Sequence, residues 1–232
     1  RKKMSDILVI IPAFNEEANI EQVVENLIIH HSELDYVIVN DGSTDATAKI
    51  CRDKNYNMID LPINLGLAGA FQTGMRYAYQ KNYRYAVQFD GDGQHRPEYI
   101  LPMKEKMDEG YDIVIASRFA KEKKSLSPRM FGSRVIAMAI FLTTGKRIKD
   151  PTSGMRMYNC KLIEKFALKL NYGPEPDTVS YLVKQGAHVA EVQCHMQERM
   201  GGISYLTPWN AGKYMLRMLT SILFIQNFRS RK

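Results

Sequence analysis

Short aliphatic runs alternate with amphipathic segments from Ile7 to about residue 115, and this alternation restricts the fold more than any other feature. Ile7–Ile11 is unbroken and aliphatic, which suits a strand covered on both faces. Tyr36–Asn40, Met58–Leu61, Tyr85–Phe89 and Asp112–Ala116 repeat the pattern. Between them, Ile20, Val23, Val24, Leu27 and Ile28 carry helical spacing, and Ala68–Gln80 and Pro97–Met107 read as further helices. Strands separated by helices predict βαβ units and a mostly parallel sheet flanked by helices.

The strand ends are polar in a consistent way. Asn15 and Glu16 follow the first strand, Asp41 the second, Asp90 and Asp92 the fourth, and Ser117 and Arg118 the fifth. In open α/β sheets the ligand lies along this edge. The first βα turn has no G-x-G-x-x-G and the chain has no Walker A sequence, which disfavours a dinucleotide or P-loop site. Asp90-Gly91-Asp92 is the sharpest case. Two carboxylates follow an apolar strand, and the glycines let the chain turn so that both converge. That pair suits a divalent cation, Mg²⁺ or Mn²⁺, that also holds a diphosphate. The competing reading is a turn rich in Asp and Gly.

Beyond Ala120 the pattern loosens. Lys121–Lys124 is a charged run, Met130–Thr143 reads as a helix, and Met155–Tyr158 could add a strand. Lys161–Leu168 and Thr178–Gln185 read as helices, Ala187–Val192 as a strand, and Trp209–Phe228 as one amphipathic helix. These suggest a catalytic unit over 1–206 and a C-terminal helix over 207–232. No apolar run reaches the roughly 18 residues of a membrane span. The last helix carries Met215, Met218, Leu219, Ile222, Phe224 and Phe228 with a basic end, so it can lie in an anionic membrane surface. The alternative is docking on the core or on a second copy in a homo-oligomer.

The net charge of +7 fits phosphorylated substrates, an anionic membrane or nucleic acid. Nucleic acid is disfavoured, since no arginine-rich run, helix-turn-helix or zinc pattern is present. The cysteines, Cys51, Cys160 and Cys194, are scattered and odd in number, as expected of reduced thiols in a cytoplasmic protein.

Seven motifs occur in order: Ile11-Pro-Ala-Phe-Asn-Glu16, Val39-Asn-Asp-Gly-Ser-Thr-Asp45, Asn64-Leu-Gly66, Phe89-Asp-Gly-Asp-Gly-Gln-His95, Ala116-Ser-Arg-Phe119, Asp150-Pro-Thr-Ser-Gly154 and Arg199 through Ser204. Together they resemble family 2 glycosyltransferases of GT-A fold, most closely the dolichyl- or polyprenyl-phosphate branch. The resemblance runs from Ile7 to about Ser204. It implies that Pro12, Ala13, Asn15, Glu16, Asp41, Gly66, Asp90 and Gln94 meet the nucleotide-sugar, with Asp92 and Arg118 among the catalytic residues. It also implies that Asp90, Asp92 and Gln94 surround the metal, and that Arg118, Arg129, Ser133 and Arg199 meet phosphates. One departure is Tyr205, where the family pattern has a lysine.

The residues themselves leave several roles open. Arg129 and Ser133 share a helix face at i, i+4 and compete with Arg134 for one role. Asp150 is a candidate catalytic acid near the reacting centre, or a turn cap before Pro151. His95 is a candidate ligand contact. Arg156 is either a site residue or part of a salt bridge. Glu175 and Asp177 could act as a base or give a rigid start to a helix. A phosphomonoester acceptor is largely dianionic at neutral pH and needs little base help, whereas an alcohol needs a general base.

The expectation is an inverting transfer of a sugar from a nucleotide-sugar to a polyprenyl phosphate at the cytoplasmic membrane face, in cell-envelope polysaccharide assembly. A UDP-sugar is favoured over GDP-mannose. The alternatives are a glycan hydroxyl as acceptor, or a nucleotide-sugar-binding module without turnover.

Overall fold

The structure is a computed structural model that describes residues 5–122, 128–170, 172–196 and 208–226. Seven strands form one sheet: β1 (Ile7–Ala13), β2 (Asp35–Asn40), β3 (Met58–Asp60), β4 (Tyr85–Gln88), β5 (Ile113–Ser117), β6 (Arg156–Asn159) and β7 (Val189–Gln193). Their order is β3-β2-β1-β4-β6-β5-β7. All pairings are parallel except those of β6, which runs antiparallel to β4 and β5.

The continuous aliphatic runs follow from two-sided burial. Leu8 and Ile10 of β1 enter the core with α3 (Gly66–Gln80), α5 (Pro128–Thr144), α6 (Cys160–Leu168) and α7 (Pro176–Lys184). Ile7, Val9 and Ile11 face the other core, with α1 (Ile20–His30), α2 (Thr47–Asp53) and α4 (Ile100–Asp108). Both sets are 0–2% exposed, so neither face of β1 tolerates a polar residue. A single 3₁₀ turn, Pro97–Tyr99, leads into α4 in place of the continuous helix expected from Pro97.

Strand β6 decides where the site is. Because it is antiparallel, it starts at the edge where β4 and β5 end: Gln88 pairs with Arg156, and Ile115 pairs with the same arginine. The segment entering β6, residues 150–154, therefore lies on the same edge as Asp90 and Arg118.

Helix α8 (Pro208–Thr220) continues as a π-helical turn over Ser221–Ile225. It docks on the body of the protein: Met218 and Ile222 are buried, at 1% and 0% exposure. Arg217 bonds Glu175 at 2.6 Å, and Ser221 Oγ donates to Asp177 at 2.7 Å. Glu175 and Asp177 thus fasten α8 over the start of α7, closer to the rigid-start reading than to a paired base. Leu216, Phe224 and Ile225 stay exposed.

Helix α3 crosses β1 at Gly74, where a Cβ would sit 2.3 Å from Ile10 Cγ2. Ile10 is fully buried and cannot move aside. Gly74→Ala is therefore expected to lower unfolding free energy by about 1–3 kcal/mol despite the better helix propensity of alanine, measured by urea denaturation.

Candidate active site

The first two βα loops form one clasp. Asn15 adopts φ 55°, a left-handed conformation that asparagine tolerates. Its N–H donates to Ser43 Oγ at 3.0 Å, and its Oδ1 accepts the Thr44 N–H at 2.8 Å. The Glu16 N–H donates to Thr47 Oγ1 at 2.9 Å, and Asn19 Nδ2 donates to Glu16 Oε2 at 2.9 Å. Asp45 accepts from Thr47 and from the Glu17 N–H. Burial works against the Asp45 charge, but these donors hold its carboxyl below the usual range. Asn15 and Glu16 therefore shape the rim as well as line it, while Pro12 and Ala13 end β1 beneath them.

Asp41 is buried at 3% exposure, and its Oδ1 accepts the Leu65 N–H at 2.7 Å. It anchors the Asn64-Leu65-Gly66 turn over the end of β2. The close approach requires Gly42, where a Cβ would lie 2.7 Å from Asn64 N and the backbone is left-handed. Gly66, at φ 73°, opens α3 on the same edge.

At the end of β4, Gln88 Nε2 donates to Asp90 Oδ1 at 3.2 Å. The Asp90 N–H donates to His95 Nδ1 at 2.9 Å, so the imidazole presents Nε2 toward Asp90 Oδ2, 3.5 Å away. His95 is 6% exposed, and among these contacts it positions Asp90. The Gln94 N–H donates to Asp92 Oδ1 at 3.0 Å; Gln94 thus orients a carboxylate through its backbone.

Two carboxylates on one turn supply hard oxygen donors, and the Asp90 side chain is 37% exposed. Among the described residues there is no cluster of three or more His, Cys, Asp or Glu that could hold a metal alone. This donor set fits a cation such as Mg²⁺ or Mn²⁺, which binds through one or two carboxylates and completes its shell with substrate phosphates.

Arg118, just past β5, grips Asp150 bidentately: Nε to Oδ2 at 2.7 Å and Nη2 to Oδ1 at 2.8 Å. The Arg118 N–H adds a third bond to Oδ2 at 3.1 Å. Asp150 is 0% exposed, and its own N–H donates to Glu191 Oε1 at 2.7 Å. Asp150 is a candidate catalytic acid by sequence; with both oxygens bonded and shielded, its geometry favours orienting Arg118 over exchanging a proton with a ligand. Thr152 Oγ1 donates to Asp150 and lies 3.1 Å from the buried Ser133 Oγ, which brings α5 into the cluster. At the other end of the segment, a Cβ on Gly154 would lie 2.7 Å from Asp90 Oδ2. Five residues thus join the arginine cluster to the carboxylate pair.

Arg156 is the member that sequence reasoning left unassigned. It is 2% exposed, donates to the carbonyls of Pro151 (2.8 Å) and Pro174, and ties the 150–154 segment to the start of α7. Its position in β6, on the face that alternates with Met155 and Met157, was the available signal, because a strand between two cores leaves no solvent side. Arg134 lies on the neighbouring face of α5. The Arg129 side chain and Arg199 lie outside the described residues. A cavity of about 760 Å³ between α1 and residues 93–98 reaches His95 but not Asp90 or Asp92, and Glu21 and Glu25 in its wall are paired with Lys54.

Removing one partner of a buried ion pair leaves the other charge uncompensated, at a cost of about 3–5 kcal/mol. Asp150→Ala should lose stability in that range. Adding Arg118→Ala to it should cost much less than the sum of the two single changes, measured as a double-mutant cycle in urea.

A UDP-N-acetylglucosamine–dolichyl-phosphate N-acetylglucosaminyltransferase of Methanococcus voltae is 34% identical over 185 residues, 71% of each chain. A polyprenol monophosphomannose synthase of Mycolicibacterium smegmatis is 26% identical, over 91% of this chain and 84% of that one. In fold, glucosyl-3-phosphoglycerate synthase of Mycobacterium tuberculosis, solved with Mn²⁺, UDP-glucose and phosphoglyceric acid, superposes with a TM-score of 0.71 at 17% identity, over 97% of this chain and 80% of that chain. Residues 8–167, more than half of the sequence, match glycosyl transferase family 2, and the chain belongs to that family.

Proposed function

We propose that the chain is an inverting, metal-dependent glycosyltransferase that moves a sugar from a nucleotide-sugar to a polyprenyl phosphate at the cytoplasmic face of a membrane. A UDP-sugar is the first donor to test and GDP-mannose the second. One observation carries the reading: residues 150–154 join a carboxylate pair to an oriented guanidinium across a single sheet edge. A donor diphosphate and an acceptor phosphate are both anions; on this edge the carboxylate pair suits a divalent cation for the first, and the Arg118 guanidinium is a cation for the second. The names of the similar proteins from Methanococcus and Mycolicibacterium support the acceptor class.

In the proposed mechanism, Pro12, Ala13, Glu16, Asp41 and the turn ending at Gly66 hold the nucleotide. Asp90 and Asp92 hold the divalent cation, which when bound offsets the negative charge of the leaving diphosphate. Arg118, kept rigid by Asp150, receives the acceptor phosphate together with Ser133 and with Arg129 and Arg199, which complete the set by family resemblance. A phosphate oxygen attacks the anomeric carbon from the face opposite the diphosphate. The new O–C bond forms, the C–O bond to the diphosphate breaks, and its electron pair leaves with the nucleoside diphosphate. A phosphate dianion gives up no proton, so no general base is required.

A hydroxyl acceptor would require one. Glu175 and Asp177 are the candidates offered by the sequence, and burial raises the Glu175 carboxyl above the usual range, with Arg217 opposing. Glu175 Oε1 is bonded to Arg217, and Asp177 is bonded to Ser221; both contacts support a fastening role. The exposed Phe131, Leu142, Leu216 and Phe224 on α5 and the C-terminal helix support contact with a membrane surface.

Incubation with undecaprenyl phosphate, Mn²⁺ or Mg²⁺ and radiolabelled donors should yield labelled lipid from a UDP-sugar. Chelation should abolish the label, and Glu175→Gln should retain it. No labelled lipid from either donor class would contradict the lipid acceptor, and loss of turnover in Glu175→Gln with donor binding intact would favour a hydroxyl acceptor.

A further inference from the structure

A groove of about 440 Å³ runs along α5 beside the arginine cluster. Arg134, Ala137, Met138 and Phe141 form one wall at i, i+3, i+4 and i+7, a single helix face. Phe119 and Ile148 form the other. We propose that this groove seats the hydrocarbon chain of the acceptor next to its phosphate; the inference rests on the polyprenyl-phosphate reading above.

The floor is hydrocarbon, and rim groups already have partners within the protein. Lys149 Nζ donates to the Ala120 carbonyl at 2.5 Å, and the Lys149 N–H donates to Glu191 at 2.8 Å. The Arg147 guanidinium lies 5.3 Å from the Phe141 ring centroid, a cation–π contact. A peptide laid on this floor would bring N–H and C=O groups without partners, which is costly. An isoprenoid chain brings none.

The rim also selects by charge. Arg134, Arg147 and Lys149 outnumber Glu122, so an occupant attached to an anion is favoured. The groove is continuous with the place proposed for that anion. Phe119 follows Arg118, whose guanidinium lies 5.3 Å from the Phe119 ring, and Arg134 follows Ser133, which contacts Thr152. The outer lip is apolar and open: Met138 is 57% exposed, and Leu142, beyond the groove one turn further along α5, is 70% exposed. A chain can therefore leave the groove toward a membrane while its phosphate stays beside Arg118.

Two variants test the proposal. Ala137→Phe fills the groove, and Met138→Asp charges its exposed lip with little risk to folding. Calorimetry on the full chain would compare inorganic phosphate, isopentenyl phosphate and farnesyl phosphate. The native chain should bind farnesyl phosphate about tenfold or more tighter than isopentenyl phosphate, because more hydrocarbon leaves water. Each variant should reduce that advantage to about threefold or less, with UDP and inorganic phosphate affinities unchanged. An advantage that survives in both variants, or no chain-length dependence in the native protein, overturns the groove. Transfer to undecaprenyl phosphate separates this from the acceptor reading. Chain-length-dependent binding lost in the variants, without any transfer by the native chain, supports the groove and overturns that reading; transfer with chain-length dependence intact in both variants does the reverse.

Discussion

The bidentate contact between Arg118 and Asp150 is the interaction on which the rest of the site depends. A carboxylate with no exposed surface is costly unless it is paired and hydrogen-bonded. Asp150 receives three bonds from Arg118 and one from Thr152, so its charge is fully compensated. Its main chain is held in turn by Glu191 on β7. The guanidinium cannot swing away without leaving that carboxylate uncompensated. A ligand phosphate would therefore meet a cation whose orientation is already set, which lowers the ordering cost of binding.

This rigidity reaches across the molecule through β6. A parallel strand at that place in the sheet would have put residues 150–154 on the opposite edge, far from Asp90. Running antiparallel, β6 lets Gly154 come against Asp90 and Asp150 against Arg118. Arg156 extends the connection through the carbonyls of Pro151 and Pro174 to the start of α7, where Glu175 and Asp177 hold the C-terminal helix. The helix with the exposed apolar face is thus linked by direct bonds to the segment that positions the arginine.

Much of this edge was legible in the residues. Ile7–Ile11 could be only a two-sided strand, and Asp90 and Asp92 after Tyr85–Phe89 could be only at its end. The partners were harder to read. Arg118 and Asp150 are 32 positions apart, and nothing local says that an arginine after one strand and an acid before Pro151 satisfy each other. Asp41 reads as a ligand contact, yet one oxygen secures the Leu65 N–H 24 positions away. Glu175 and Asp177 read either as a base or as a rigid helix entry until the C-terminal helix supplies Arg217 and, in its π-helical turn, Ser221. In each case the missing information is a long-range contact created by sheet order or helix docking, which periodicity does not encode.

The central claim is that Arg118, oriented by Asp150, receives the acceptor phosphate. The most direct measurement is the steady-state kinetics of Arg118→Lys, which keeps the charge beside Asp150 but loses the planar bidentate fork. The account predicts that KM for undecaprenyl phosphate rises about tenfold while KM for the nucleotide-sugar stays within about twofold. A rise in the donor KM with the acceptor KM unchanged would contradict it.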